Sequence, residues 1–522
     1  MAAIVTDQFR ILNANNFVET ISNPANSYYV VVGLANPTAT VPNGTAVGYG
    51  RSSDWDTENP EPLDNFNYTN HTGDTTIFGK KITTDNVRRL ISRKNWTQGT
   101  KYEMYRHDYS LKNPSPITDS SRLYNANYYV MNKNFDVYIC LDNVSSGINT
   151  TGNASQDEPI FTDLEPSRAG ESGDGYIWKY LFTVPPSDII KFDSTEYISV
   201  PSDWPTSTST QIQSVRENGD STINNNQIRK VYIDKQGFAY TQNQSGVEVD
   251  IVGDGTGGKV VIDTDSEGKV IQTNVSSGGQ GYSYGMVDLG PLGSGTTKAK
   301  LIPIIPPSRG HGYDLYKELG TDKLLIYARF DDSTKDFPTD TKFAQISIIK
   351  NPTSIGSTAV FTANNFSSVN AIKIISPTGT PVIGEKIEQT VTGGTAKGYI
   401  VSYDNDTKVI KYYQDRTLVF NPTIGDQTDY VGLTNDSKVL SFESSAQQIS
   451  ASSGFKASVD QNFSGISTTS NNKVVSLGVN FENGLANPEI NKGSGEVVYL
   501  DNRSTISRNS RQKEDIKIIL EF

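Results

Sequence analysis

Apolar residues in this chain come in short runs, many alternating with polar neighbours, and the runs are separated by Gly, Asn, Ser and Thr. The sharpest pattern is Gly173-Asp-Gly-Tyr-Ile-Trp-Lys-Tyr-Leu-Phe-Thr-Val-Pro-Pro186, running on to Glu196-Tyr-Ile-Ser-Val-Pro201. Tyr176, Trp178, Tyr180 and Phe182 stand at alternate positions. Residues two apart in a strand share a face, so the segment predicts a core strand with one aromatic face. A Gly-Asp-Gly turn opens it, and Pro185-Pro186 cannot continue a ladder. Tyr28–Gly33 reads as a short buried strand. Tyr128–Met131 and Phe135–Leu141 read as a hairpin around Asn132-Lys-Asn134. Helical spacing shows at Thr84–Trp96, where Val87, Leu90 and Ile91 fall at i, i+3 and i+4 behind a cap at Thr84 or Asp85.

The style of the pattern changes along the chain, and the changes suggest domains. Residues 1–205 form the first part of a core β domain. Residues 206–308 open on a polar linker, Thr206–Thr210, and then alternate: Val247, Val249 and Ile251 are answered by Val260-Val-Ile262. Gly237-Phe-Ala-Tyr240 and Gly279-Gln-Gly-Tyr-Ser-Tyr284 look like one turn used twice, so this stretch reads as a small Gly-rich β module with weak internal duplication. Residues 309–355 return to core strands at Leu324–Phe330 and Phe343–Ile349. Residues 356–487 form a second module, a meander over 384–413 that suits a small barrel or sandwich, with a Ser/Asn-rich connector at 443–473. Residues 488–522 hold the last core strands. The fold class expected is therefore mainly β: a layered β-sandwich core with a few short helices and two inserted Gly-rich β modules.

The length of 522 residues exceeds what one core can organise. The net charge of −12 repels polyanions, so neither nucleic acid nor a membrane surface is expected as a partner. The opening Met-Ala-Ala-Ile-Val-Thr-Asp-Gln-Phe has no basic segment followed by an apolar stretch, and no secretory leader is expected. No apolar run nears the ~20 residues of a membrane span. The single cysteine, Cys140, sits in an apolar run and reads as a buried, inert thiol in a chain folded in a reducing compartment. The acceptor patterns at Asn67 and Asn70 read as chance.

Candidate chemistry adds little. Gly253-Asp-Gly-Thr-Gly-Gly-Lys259 nearly spells a phosphate loop, but Val260 stands where a Ser or Thr is needed, and strand follows instead of helix. His71, His107 and His311 have no acid and nucleophile placed beside them, and His311 lies between glycines in a turn. Asp331-Asp332 reads as a strand-end turn rather than a glycosidase pair. No catalytic, cofactor-binding or metal-ligating residues are expected. Two basic clusters stand out in an acidic chain: Arg88, Arg89, Arg93 and Lys94 with Trp96, and Arg503, Arg508, Arg511 and Lys513. Arg88, Arg89, Arg93, Trp96, Arg503, Arg508 and Arg511 are the candidate interface residues, since Arg is favoured where partners dock.

The order of several segments resembles the baseplate wedge protein family of T-even-like contractile-tailed bacteriophages. Ala3–Arg10 resembles the family's opening strand, and Gly50-Arg-Ser-Ser-Asp-Trp55 its Gly-Arg-Ser turn. Ile91-Ser-Arg-Lys-Asn-Trp96 resembles its basic helix end. Gly173–Pro186 with Glu196-Tyr197 is the nearest segment, and Gly495–Arg503 with the apolar strand ending at Phe522 completes the series. The resemblance covers about residues 1–205, 310–355 and 488–522. Ala486-Asn-Pro-Glu-Ile490 resembles versions from phages of cyanobacteria, with 206–308 and 356–487 as insertions. It implies a non-enzymatic, homodimeric structural subunit without cofactor, made late in the host cytoplasm and built into the virion's tail baseplate. There it would contact other wedge proteins and take part in the rearrangement that triggers sheath contraction. The alternative is a receptor- or glycan-binding tail protein presenting Tyr399, Tyr403, Tyr412 and Tyr413 as platforms. A tail-associated polysaccharide hydrolase is a third reading, and it needs paired acids that the sequence does not show.

Overall fold

A computed structural model describes residues 6–34, 62, 72–73, 75–225, 227–330, 343–414, 440–444, 447–506 and 513–522. The protein is mainly β, as the pattern predicts, and divides into two compact units. The first comprises Met1–Asn16, Arg88–Leu325 and Ile519–Phe522; the second comprises Phe17–Val87 and Ile326–Ile518. No helix among the described residues is long and apolar enough to cross a membrane.

The first unit is organised around an antiparallel sheet ordered Tyr129–Met131, Asp136–Asp142, Ile177–Thr183, Ser167–Arg168. The hairpin around Asn132–Asn134 is present, with Tyr129 opposite Ile139. Tyr138 pairs with Tyr180, and Cys140 with Trp178. Tyr176, Trp178, Tyr180 and Phe182 are all buried, but so are Lys179 and Leu181 between them. The strand is therefore covered on both faces, where alternation alone suggested one. A helix the sequence reading passed over, Thr210–Gly219, begins within the supposed linker and reaches this strand: Gln211 donates to the Tyr180 hydroxyl and Asn218 accepts from Lys179.

Two further expectations are corrected. Thr84–Trp96 is not a helix: one 3-10 turn at Thr84–Asn86 leads into the strand Val87–Ser92. That strand pairs with Tyr197–Val200, Leu90 opposite Ser199 and Ile91 opposite Ile198. A short apolar run satisfies helical and two-sided strand spacing alike, and a waiting partner strand decides between them. Conversely, the described part of the segment Ala3–Arg10 is not a strand: Asp7–Arg10 open a 16-residue helix, Asp7–Ser22, that buries Ile11, Ala14 and Ile21. Asn13, Asn15 and Asn16 are poor helix formers and hid it.

The Gly-rich stretch folds on a hydrophobic cluster of its own, including Ile228, Val249, Ile251, Val260, Ile262 and Leu292. Val247–Gly253 and Thr256–Thr264 pair with Val247 opposite Ile262 and Val249 opposite Val260. The two similar turns each supply a buried tyrosine plug. Ala299 N–H donates to the Tyr240 hydroxyl at 2.9 Å, and Gly258 N–H to the Tyr282 hydroxyl at 3.0 Å. Both rings lie against glycine backbone: a Cβ at Gly295 would stand 2.8 Å from the Tyr240 ring, and one at Gly255 2.4 Å from the Tyr282 ring. Close approach of ring to backbone is thus what these glycines permit.

The second unit holds an antiparallel sheet ordered Asn365–Ser367, Thr76–Ile82, Tyr28–Gly33, Phe343–Lys350, Glu496–Ile506. Tyr29 and Phe366 meet in its core with ring centroids 5.1 Å apart. The meander continues into a closed ring: Val409–Tyr413, Gly394–Asp404, Lys386–Val391, Ile449–Ala451, Lys456–Val459 and Asn370–Thr378, with the last pairing back to the first. Closure removes open edges and makes a small barrel. The Ser/Asn-rich stretch expected as a connector supplies two of its strands, with Ile449 and Ala457 fully buried.

Candidate interaction surface

The arginines of the first basic cluster are engaged within the first unit. Arg88 Nε donates to Asp188 Oδ2 at 2.7 Å, and its guanidinium lies over the Phe192 ring. Arg89 is buried: it stacks 3.9 Å from the Tyr316 ring centroid and donates to Asn15 Oδ1 and the Ser202 carbonyl. Arg93 donates to the Ser194 carbonyl and sits 3.6 Å from Asp193. Trp96 is half-buried, its indole N–H donating to Ser155 Oγ. Strand alternation separates Arg88 from Arg89, which points into the fold, while Arg93 lies just past the strand's end. Of the second cluster, Arg503 is 58% exposed at its side chain, with its Nε 2.8 Å from Asp501. Arg508 and Arg511 lie outside the described residues, as do Gly50–Trp55, Asn67, Asn70, His71, Asp331 and Asp332.

One exposed surface was missed by sequence reasoning. Val252 and Met286 are direct cross-strand partners, 59% and 71% exposed, and Tyr284, also exposed, precedes Met286 by two residues. Three apolar side chains on one strand face in water mark a contact surface more often than an ordinary exterior. The signal available was the pair Tyr284 and Met286 at alternate positions in a Gly-rich stretch.

The residues weighed for catalysis are structural where they are described. His311 is not in a loose turn: its Nδ1 lies 2.5 Å from Glu318 Oε1, Gly312 N–H donates to the other carboxylate oxygen, and the Tyr105 ring packs edge-on at 4.8 Å. His107 Nδ1 accepts from Ile305 N–H, and burial pushes its pKa down. Lys259 of the glycine loop pairs with Glu248 across the hairpin. Cys140 is fully buried, and burial pushes its thiol pKa well up. No group of His, Cys, Asp and Glu among the described residues is arranged to hold a metal ion.

One buried lysine, one half-buried lysine and a layer of buried tyrosines set the unit's electrostatics. Burial pulls Lys94 down to about 8, against the opposing pull of Glu103; its Nζ donates to the Ala126 carbonyl. Burial likewise pulls Lys179 down to about 8. Between pH 8 and 10.5 the unfolded chain therefore binds more protons than the folded one, and stability rises with pH by up to about 1.4 kcal/mol per pH unit for each lysine. Burial raises Tyr105, Tyr128, Tyr129, Tyr138 and Tyr176 above their ordinary 10, so past that pH the unfolded chain loses protons the folded chain keeps, and stability falls. Urea titrations followed by circular dichroism from pH 7 to 11 are expected to show a maximum between about pH 9 and 10.

Comparison with known proteins adds sequence kinship. Residues 151–238 match the family model described as Bacteriophage T4, Gp8. The chain is 27% identical over 222 residues to baseplate wedge protein gp8 of Enterobacteria phage T4, the match covering 39% of this chain and 61% of that protein. The chain thus spans about three fifths of that relative's length. The matched family segment contains the aromatic strand Ile177–Thr183, so it is through the core of its first unit that this chain is similar to a phage baseplate wedge protein.

Proposed function

We propose that this chain is a structural, non-enzymatic subunit of a contractile phage tail baseplate wedge in the virion. In this reading it forms a homodimer, docks with other wedge proteins, and takes part in the rearrangement that triggers sheath contraction. Of the stretch 206–308, residues 206–238 lie inside the family match, so only its remainder, with 356–487, is then read as insertion of the cyanophage type on the family's core. The observation that carries the reading is the family match over residues 151–238, centred on a strand buried on both faces. Obligate assemblies need apolar surface at the centre of a contact and charge at its rim. On the first unit the Val252–Tyr284–Met286 row offers apolar surface, and on the second unit Arg503 offers an exposed charge. Arg89 is spent on the fold, which leaves Arg88 and Arg93 as rim residues of the first cluster. The glycan-binding alternative loses two of its platforms, because Tyr412 and Tyr413 are buried in the barrel wall.

Light scattering after size exclusion tests the reading. A mass of twice 57.1 kDa is expected. A trimer would overturn it in favour of a spike or fibre, because closed symmetry fixes the copy number.

A further inference from the structure

The helix Thr210–Gly219 places an amide against a buried amine. Lys179 is 2% exposed, and its Nζ donates to Asn218 Oδ1 at 2.5 Å and to the Leu164 carbonyl at 2.7 Å. On the far side of the same amide, Asn218 Nδ2 donates to Glu165 Oε1 at 2.6 Å. The carboxylate is steadied by Asn224 Nδ2 at 3.0 Å, with Arg229 beyond it at 3.9 Å. Amine, carboxamide and carboxylate thus stand in line. With a C=O bond of about 1.23 Å, the Asn218 carbonyl carbon lies no more than ~3.7 Å from Nζ, and the carboxamide must turn from its hydrogen-bonded pose to present that carbon to the amine.

We propose that Lys179 and Asn218 are the site of an intramolecular isopeptide bond, with Glu165 as the proton-transfer group. The ammonium first gives a proton to water. The neutral Nζ then attacks Cγ of Asn218, and the carbonyl π electrons move onto Oδ1. Glu165 takes a proton from Nζ and delivers it to Nδ2. As the carbonyl re-forms, the Cγ–Nδ2 bond breaks with its electron pair on nitrogen, and ammonia leaves. The products are one Nζ–Cγ amide and one ammonia; no oxidant or co-reactant is consumed, and Glu165 returns to its ionised form.

One feature favours the step: burial pulls the Lys179 amine down to about 8, so about a tenth of it is neutral at pH 7. Burial pushes the Glu165 carboxyl up, but hydrogen bonds from Asn224 and Asn218 and the charges of Lys179 and Arg229 outweigh it and hold the group below its ordinary value, so it is an ionised proton relay and a weak base. A second lysine–asparagine–aspartate line in the same unit serves as the contrast. Lys300 Nζ donates to Asn113 Oδ1 at 2.6 Å, and Asn113 Nδ2 donates to Asp108 at 3.3 Å. There the lysine is 45% exposed and ion-paired with Asp234. Proximity is common to both sites; burial of the amine is particular to the first.

The test is the intact mass of the full chain, followed by tandem mass spectrometry of its tryptic peptides. The expected mass is about 17 Da below the sequence value, one ammonia, with a branched peptide joining Lys179 to Asn218 and no cleavage after Lys179. The full sequence mass overturns the proposal. So does the same loss without the branched peptide, since a succinimide at Asn218-Gly219 also releases ammonia. Lys300 and Asn113 are expected unlinked. Glu165→Gln, checked for native circular dichroism, is expected to keep the full mass; a linked variant overturns the role given to Glu165. A linked Lys179 no longer titrates, which leaves Lys94 alone to drive the alkaline rise in stability.

Discussion

Replacing Trp178 with alanine is expected to lower the stability of the protein by about 3–5 kcal/mol, the usual cost of deleting a fully buried aromatic side chain. The indole stacks on Tyr176 with centroids 5.4 Å apart and receives Tyr102 edge-on at 5.7 Å, and all three rings are buried. The cavity would open on a strand that is itself paired on both sides, with Asp136–Asp142 and with Ser167–Arg168, where backbone collapse is hindered. A loss of that size is a large part of the ~5–15 kcal/mol that holds a typical domain. Trp178→Phe is expected to cost much less. The indole N–H is buried and meets no acceptor among the described residues, so phenylalanine loses ring volume but also sheds an unsatisfied donor. Urea denaturation of the two variants measures the difference. An alanine variant within about 1 kcal/mol of the parent would show that the strand is not the unit's keystone.

Glu103→Ala is expected to be comparably severe, at about 3–5 kcal/mol, for an electrostatic reason. Glu103 is fully buried and accepts from Ile117 N–H at 3.3 Å, Thr118 N–H at 2.9 Å, the Thr118 hydroxyl at 2.9 Å and Asn127 N–H at 2.6 Å. It is also the negative charge that offsets burial of Lys94. Alanine would leave four backbone or hydroxyl donors of the 117–127 loop without that acceptor and remove the charge that offsets the burial of Lys94. Glu103→Gln restores the size and one acceptor oxygen but not the charge, so it should recover part of the loss. The remainder should shrink as pH rises past about 8, where Lys94 can shed its proton. A pH-independent deficit in the glutamine variant would show that Lys94 and Glu103 are not coupled.

Strand positions were legible wherever the pattern was local. The aromatic run, the 128–141 hairpin, Tyr28–Gly33 and the Val247–Ile262 pairing follow from period-two spacing and turn residues alone. The interface arginines show the limit. Sequence spacing put Arg88, Arg89 and Arg93 on one helix; a strand sends Arg89 inward onto Tyr316, which lies 227 positions further along the chain, and leaves Arg88 on the other face, with Arg93 past the strand's end. No local signal distinguishes an arginine that will find a buried aromatic face from one that will stay in water. The same holds for Lys179: it reads as the polar partner in an aromatic strand, and only the helix arriving from 210–219 makes it a buried amine facing an amide.

The sequence by itself determined the class of this protein: short strands, turn chemistry at fixed places, glycine-rich stretches and an acidic surface, all of which depend on a residue and its near neighbours. The tertiary structure alone decided that Thr84–Trp96 would be strand and Asp7–Ser22 helix, that the Ser/Asn-rich stretch would help close a barrel, and which charged side chains would be buried. Those outcomes turn on partners far away in the chain, and free energies of pairing and burial outweigh the few tenths of a kcal/mol by which local propensity distinguishes one conformation from another.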